Sequence, residues 1–209
     1  MKNILYFAMI LSLAFATSCS KNKDDGTWNT SLGKASFATA QTWKISGNGI
    51  TQIWSDAVEI IDAKDPYDGG NSTDGFRIDF RSNPGQKGSL FSWRAVVEIA
   101  NICPAGWRVP TMDDFIDLDI AMGGGTEDIR TDDSEFVIAN NIGRWGGAFG
   151  GRCLSDGTLQ NQGSWANYWS ATQINLTSAR TLNFSTNGNI GRTGWNSKDY
   201  GNMLRCVRN

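Results

Sequence analysis

The sequence predicts an α+β domain, with two helices and a short-stranded, loop-rich antiparallel sheet. Three observations carry that expectation. β-prone runs cluster at both ends of the folded part, two helix-spaced segments lie between them, and glycine supplies 24 of 209 residues, above the roughly 7% of average usage. Strands, then helices, then strands is the order of a segregated α+β fold rather than of an alternating parallel sheet. With 40% hydrophobic and 11% aromatic residues the chain can bury a core.

Residues 1–18 combine Lys2, an apolar run from Ile4 to Phe15, and the small residues Ala16, Thr17 and Ser18 ahead of Cys19. This is the pattern of a secretory signal peptide, and the apolar run is too short to span a bilayer as a mature helix. Ala16-Thr17-Ser18-Cys19 resembles the lipobox of bacterial lipoproteins, which makes Cys19 the expected lipidation site. An ordinary signal peptide with an incidental cysteine is the plainer alternative. Residues 19–40 are the expected anchor and polar tether, with an edge strand as the alternative for Thr27 to Ala40. Within them Lys23-Asp24-Asp25 resembles the export signal of Bacteroidetes surface lipoproteins. The resemblance implies an outer-membrane lipoprotein exposed at the cell surface, touching the membrane through its N-terminal lipid only.

Residues 41–209 are the expected folded domain. Thr42–Ile45 and Ile50–Trp54 flank Gly47-Asn48-Gly49, a hairpin signature. Residues 65–75 form a loop by composition, and Phe76–Arg81 alternates apolar and charged residues as a half-buried strand does. Trp93, Val96, Val97 and Ala100 fall at helical spacing and predict a helix over Leu90–Ala100. The second helix is better marked. Thr111 with Asp114 three places on makes a capping box, Phe115, Leu118 and Met122 form an apolar stripe, and Gly123-Gly124-Gly125 stops it. Acids in its first turn complement the helix dipole, and Asp117 and Asp119 are expected on its solvated side. The glycines around Trp145 and before Cys153 predict close backbone packing, since no Gly-Lys-Ser/Thr follows to make a phosphate loop. From Trp165 to Val207 the pattern is short strands, with Asn187-Gly188 as a turn and Leu204–Val207 as the last strand.

Several chemistries are excluded by composition. The chain has no histidine, which removes imidazole-dependent nucleophiles and His-ligated metals. A net charge of −2 supplies no basic patch for nucleic acid. If Cys19 carries lipid, Cys103, Cys153 and Cys206 remain, and one disulfide with one spare is the simplest outcome for an exported protein. Cys103 is expected to pair with Cys206, tying mid-chain to the last strand, with Cys153 free or half-buried. Asp65, Asp68, Asn71 and Asp74 offer oxygen ligands of the kind calcium takes, but their spacing fits no EF-hand, so a solvated loop is expected and neither metal nor cofactor.

Two stretches carry a resemblance. Cys103-Pro104-Ala105-Gly106-Trp107-Arg108-Val109-Pro110-Thr111, running into Asp113-Asp114-Phe115, is similar to the signature of the Fibrobacter succinogenes major paralogous domain. Tyr168-Trp169-Ser170-Ala171-Thr172, then Ala179, Leu182 and Phe184, and finally Gly201 with Leu204-Arg205-Cys206-Val207-Arg208 resemble its C-terminal part. The resemblance implies a C-type-lectin-like fold in which Trp107, Val109, Trp169 and Leu204 are core or motif-turn residues.

The tail is also similar to the variable proteins of diversity-generating retroelements, in which adenine-directed mutagenesis randomises Asn codons on a fixed apolar frame. On that resemblance Asn167, Gln173, Ile174, Asn175, Arg180, Asn183, Arg192, Trp195, Asn196, Tyr200 and Asn202 form a polar binding face. Trp195 is either an exposed aromatic anchor or a loop-core residue. Trp195-Asn196 faintly resembles the Trp-Asn-Asp of calcium-dependent lectins, but Ser197 stands in place of the Asp. A thiol enzyme related to formylglycine-generating proteins would need an assembled nucleophile and base, and none is legible. The expectation is a non-enzymatic surface binding protein for a protein or glycan ligand, with a structural or adhesin subunit as the alternative.

Overall fold

The computed structural model describes residues 26–62, 75, 77–124, 139–186 and 190–209. The expected signal peptide, Cys19, the loop residues 65–74 with Asp65, Asp68, Asn71 and Asp74, and the Asn187-Gly188 turn lie outside the described residues. Strand accounts for 43% and helix for 14%, so the fold is mostly β and the α+β, C-type-lectin-like expectation is corrected. The two helices exist but are short, and α2 packs against strands of both large sheets.

The first described elements are β1 (Thr27–Thr30) and β2 (Gly33–Phe37), an edge hairpin within Thr27 to Ala40, where an edge strand is the alternative to a tether. β3 (Thr42–Gly47) turns through Asn48 and Gly49, both at positive φ, into β4 (Ile50–Ile60), as the hairpin signature predicted. β4 is the spine. Its first half pairs with β3, its second half with β2, and its other edge with β13 (Arg205–Arg208) from the end of the chain.

A second sheet has six strands. It runs in the order β11 (Ile190–Ser197), β10 (Ser178–Ser185), β9 (Trp165–Gln173), β12 (Asn202–Met203), β6 (Leu90–Phe91) and β5 (Phe80–Arg81). β7 (Arg152–Cys153) and β8 (Leu159–Gln160) make a small ribbon beside it. The predicted strand over Phe76–Arg81 shrinks to Phe80–Arg81 because side chains take the backbone groups ahead of it. Asp199 accepts from the Gly75 N–H at 2.8 Å, and the Ser92 hydroxyl donates to the Arg77 carbonyl at 2.7 Å. α1 (Trp93–Glu98) is likewise shorter than Leu90–Ala100, since Leu90 and Phe91 join the sheet and Ser92 caps the helix.

α2 (Met112–Met122) follows its sequence signals. Thr111 accepts from the Asp114 N–H, Asp114 returns the bond to the Thr111 N–H at 2.7 Å, and Gly123 closes the helix at φ 106°. Asp119 corrects one expectation: it is fully buried, with Gly124 packed against its carboxylate. Asp114 also takes both arms of Arg108, at 2.5 and 2.7 Å. Burial opposes its charge, but Arg108 and the Thr111 donors outweigh it and hold the carboxyl below the ordinary aspartate range. A depressed folded-state pKa stabilises above the unfolded value near 4 and is lost as pH falls through the folded value. Asp114→Asn is therefore expected to cost about 2 kcal/mol at pH 7, with the gap to wild type closing in urea melts repeated toward pH 2.

Two cores form. One gathers Trp54, Phe115, Trp145, Tyr168 and Phe184 under α2, and the other gathers Val58, Phe80, Phe91, Trp169 and Leu204 around the disulfide. Gly146, at φ 71°, lies flat on the Trp43 ring where any Cβ would overlap it, which is the close packing its glycine-rich stretch predicted.

Candidate functional site

β9, β10 and β11 form a ribbon whose two faces sort the eleven expected binding residues. Arg180 pairs with Trp195 across β10 and β11, so their side chains share one face. Gly194 lies under the Asn183 side chain, which puts Asn183 on the opposite face, because successive strand residues alternate.

On the first face Trp195 is 62% exposed and Ile174 40% exposed, which decides between anchor and loop core in favour of exposure. With Asn175, Ser178 and Arg180 they line an open depression of about 220 Å³. The tight β9–β10 turn holds this edge. Asn175 Oδ1 accepts from the N–H groups of Thr177 and Ser178 at 3.0 and 2.8 Å, fixing the turn and leaving Leu176 at its tip 69% exposed. Gln173, also exposed, accepts from Lys198 Nζ at 2.9 Å.

The second face is different. Asn167, Asn196 and Asn202 are buried. Asn167 donates to the Gly151 carbonyl at 3.3 Å, and Asn196 donates to Asn202 at 3.3 Å. These three bond to neighbouring loops and to each other and do not lie on the exposed face that bears Trp195. Tyr200 is half-buried beneath the Arg152 guanidinium, 5.4 Å from its ring centre. The side chain of Arg192 lies outside the described residues. A diversified tail would thus vary some asparagines that the fold buries. Leu176 and Ser178 were missed by sequence reasoning, although Leu176 sits in a polar run with no apolar neighbour two residues away on the C-terminal side, a sign of a turn tip.

The three described cysteines fall as expected. Cys103 bonds Cys206 with a Cα–Cα distance of 5.9 Å, and Cys153 is a buried unpaired thiol. Burial pushes the Cys153 thiol up to about 12, so it stays protonated at neutral pH and is a poor nucleophile. Among the described residues no group of three or more His, Cys, Asp or Glu side chains is placed to hold a metal ion.

The recognisable motifs meet in space. The Arg108 and Val207 backbones exchange hydrogen bonds at 3.0 and 2.9 Å, and the Ala171 N–H donates to the Pro110 carbonyl at 2.7 Å. Thr172 Oγ1 accepts from the Met112 N–H at 2.9 Å, and Arg208 lies over Trp107 at 4.5 Å. One frame therefore joins residues 103–112, 168–172 and 204–208. The family model of the Fibrobacter succinogenes major domain matches residues 38–208. The chain belongs to that family. No characterised protein and no solved structure matches the chain.

In this Fibrobacter succinogenes major domain, the signature residues Trp169 and Leu204 are fully buried and Trp107 and Val109 pack against the same core. Their role is to build the frame. Trp107 also borders a cleft of about 450 Å³ that Trp28 and Phe37 close from the N-terminal hairpin. Sequence reasoning missed this cleft because Trp28 precedes the expected start of the domain.

Proposed function

We propose that the protein is a lipid-anchored, surface-exposed binding protein that takes a protein or glycan ligand on the face bearing Trp195. The observation that carries this reading is the exposure of Trp195, Ile174 and Leu176 around one edge of the ribbon, beside the amide of Asn175 and the cation of Arg180. Exposed aromatic and aliphatic groups rimmed by polar ones are the composition of an interaction site. The inert Cys153 thiol favours binding over thiol chemistry. Lipid attachment at Cys19 and outer-membrane placement rest on residues 1–25 of the sequence.

The test is capture of ligand from a glycan array and from surface extracts of the producing cell. Trp195→Ala combined with Ile174→Ser is expected to weaken capture by at least about tenfold, a loss of 1.4 kcal/mol or more, with the melting temperature unchanged because both side chains are solvent-facing. Binding that survives both changes would exclude this face. Cys19→Ser is expected to release the protein from the membrane fraction, and retention there would refute the lipid anchor. A near-copy of the tail codons beside a reverse transcriptase gene would establish the retroelement relation, and its absence would remove it.

A further inference from the structure

On the face of the ribbon opposite Trp195, Arg152, Asn161, Trp165, Asn167 and Asn183 line a cavity of about 110 Å³. Arg152 is its one charged wall. The guanidinium is held in place by Nη1 donating to Asn196 Oδ1 at 3.4 Å, by Nη2 donating to Gln160 Oε1 at 3.3 Å, and by the Tyr200 ring beneath it. Both acceptors are neutral amides at long distances. Arg77, Arg94 and Arg108 each pair with a carboxylate, whereas Arg152 has no carboxylate partner among the described residues. It is a positioned cation that no described carboxylate neutralises.

The remaining walls indicate what would complete the site. A guanidinium fork matches a carboxylate, which it can hold through two parallel N–H bonds. Asparagine amides offer donors and acceptors together, and Asn183 Oδ1 is buried with no donor of its own. A carboxylate alone uses donors only, so the acceptors call for hydroxyl groups on the same ligand. The volume admits a group of a few non-hydrogen atoms. We propose that this cavity takes the carboxylate end of a sugar acid, with Arg152 pairing the carboxylate and the amides of Asn161, Asn167 and Asn183 meeting neighbouring hydroxyls. The site is independent of the Trp195 face.

The experiment titrates the full chain with sodium glucuronate by calorimetry, with glucose, acetate, phosphate and a glutamate-rich peptide as separate arms. Glucuronate is expected to bind at least about tenfold more tightly than any other arm, a difference of 1.4 kcal/mol or more. Arg152→Met and the isosteric Asn183→Asp are each expected to weaken it by a similar factor, while Trp195→Ala leaves it unchanged. Near-UV circular dichroism of Asn183→Asp checks that the fold is intact, since that variant changes charge and not shape. Glucose binding equally well would overturn the anion requirement. Acetate or phosphate binding equally well would overturn the sugar, as would tighter binding of the peptide, and no heat with glucuronate at millimolar concentration would overturn the site.

Discussion

Replacing Cys103 and Cys206 together by alanine is expected to lower stability by about 4–5 kcal/mol, the chain-entropy value for a loop of this length. The two cysteines are separated by 103 positions, so the bridge closes half the chain and removes many conformations from the unfolded ensemble. It also sits inside the second core, among Val58, Trp169 and Leu204, and it fastens the turn before α2 to β13. Urea unfolding of the double variant, compared with wild type in the presence and absence of reductant, measures the effect. Wild type under reducing conditions is expected to fall to the stability of the variant. A loss below about 1 kcal/mol would mean that the antiparallel pairing of β13 with β4 holds the frame without the bridge.

The second large effect belongs to Arg205. Its side chain is 1% exposed, with the guanidinium 4.3 Å from the Trp145 ring centre and 4.9 Å from that of Trp43. Nε donates to the Ser55 carbonyl at 2.6 Å and Nη1 to the Trp145 carbonyl. Burial pulls its pKa down to about 10, against the pull of Tyr168 and buried Asp56, so the group is charged at neutral pH. Arg205→Ala leaves two buried carbonyls without a donor and empties the space between the indoles, and is expected to cost about 4 kcal/mol. Arg205→Lys keeps the charge and loses the plane that lies against the rings, and is expected to recover less than half of that. Tryptophan fluorescence followed through a urea melt reads both variants. An Arg205→Met variant as stable as wild type would show that the cation adds nothing beyond its packing.

These two effects also mark how much was legible in the chain. Cysteine arithmetic gives one pair and one spare, and the structure bears out Cys103 with Cys206 as the expected pair. Arg205 read only as part of a family signature, because its partners Ser55, Trp43 and Trp145 come from three distant segments. Asp119 reads as solvated because an acid in a helix normally is, and nothing local shows that Gly124 packs against its carboxylate. The expected binding residues on β10 and β11 come from both faces of those strands. Strand alternation separates them once register is known, but register depends on bulges near Thr181 that leave no mark in the composition.

What the sequence determined by itself is local: the capping box and glycine stop of α2, the β3–β4 hairpin turn, a helix within Leu90–Ala100, and the family signature. Each is decided within a few residues by backbone hydrogen bonding and side-chain shape. Only the tertiary structure decided that the fold is mostly β, that β4 pairs with the last strand of the chain, and that Trp195 faces solvent while Asn196 beside it is buried. Strand pairing is a contact between residues far apart in sequence, so its energy is absent from any short window, whereas a helix closes its own hydrogen bonds and announces itself. That asymmetry is why the helices are legible in the sequence and the order of the sheets is not.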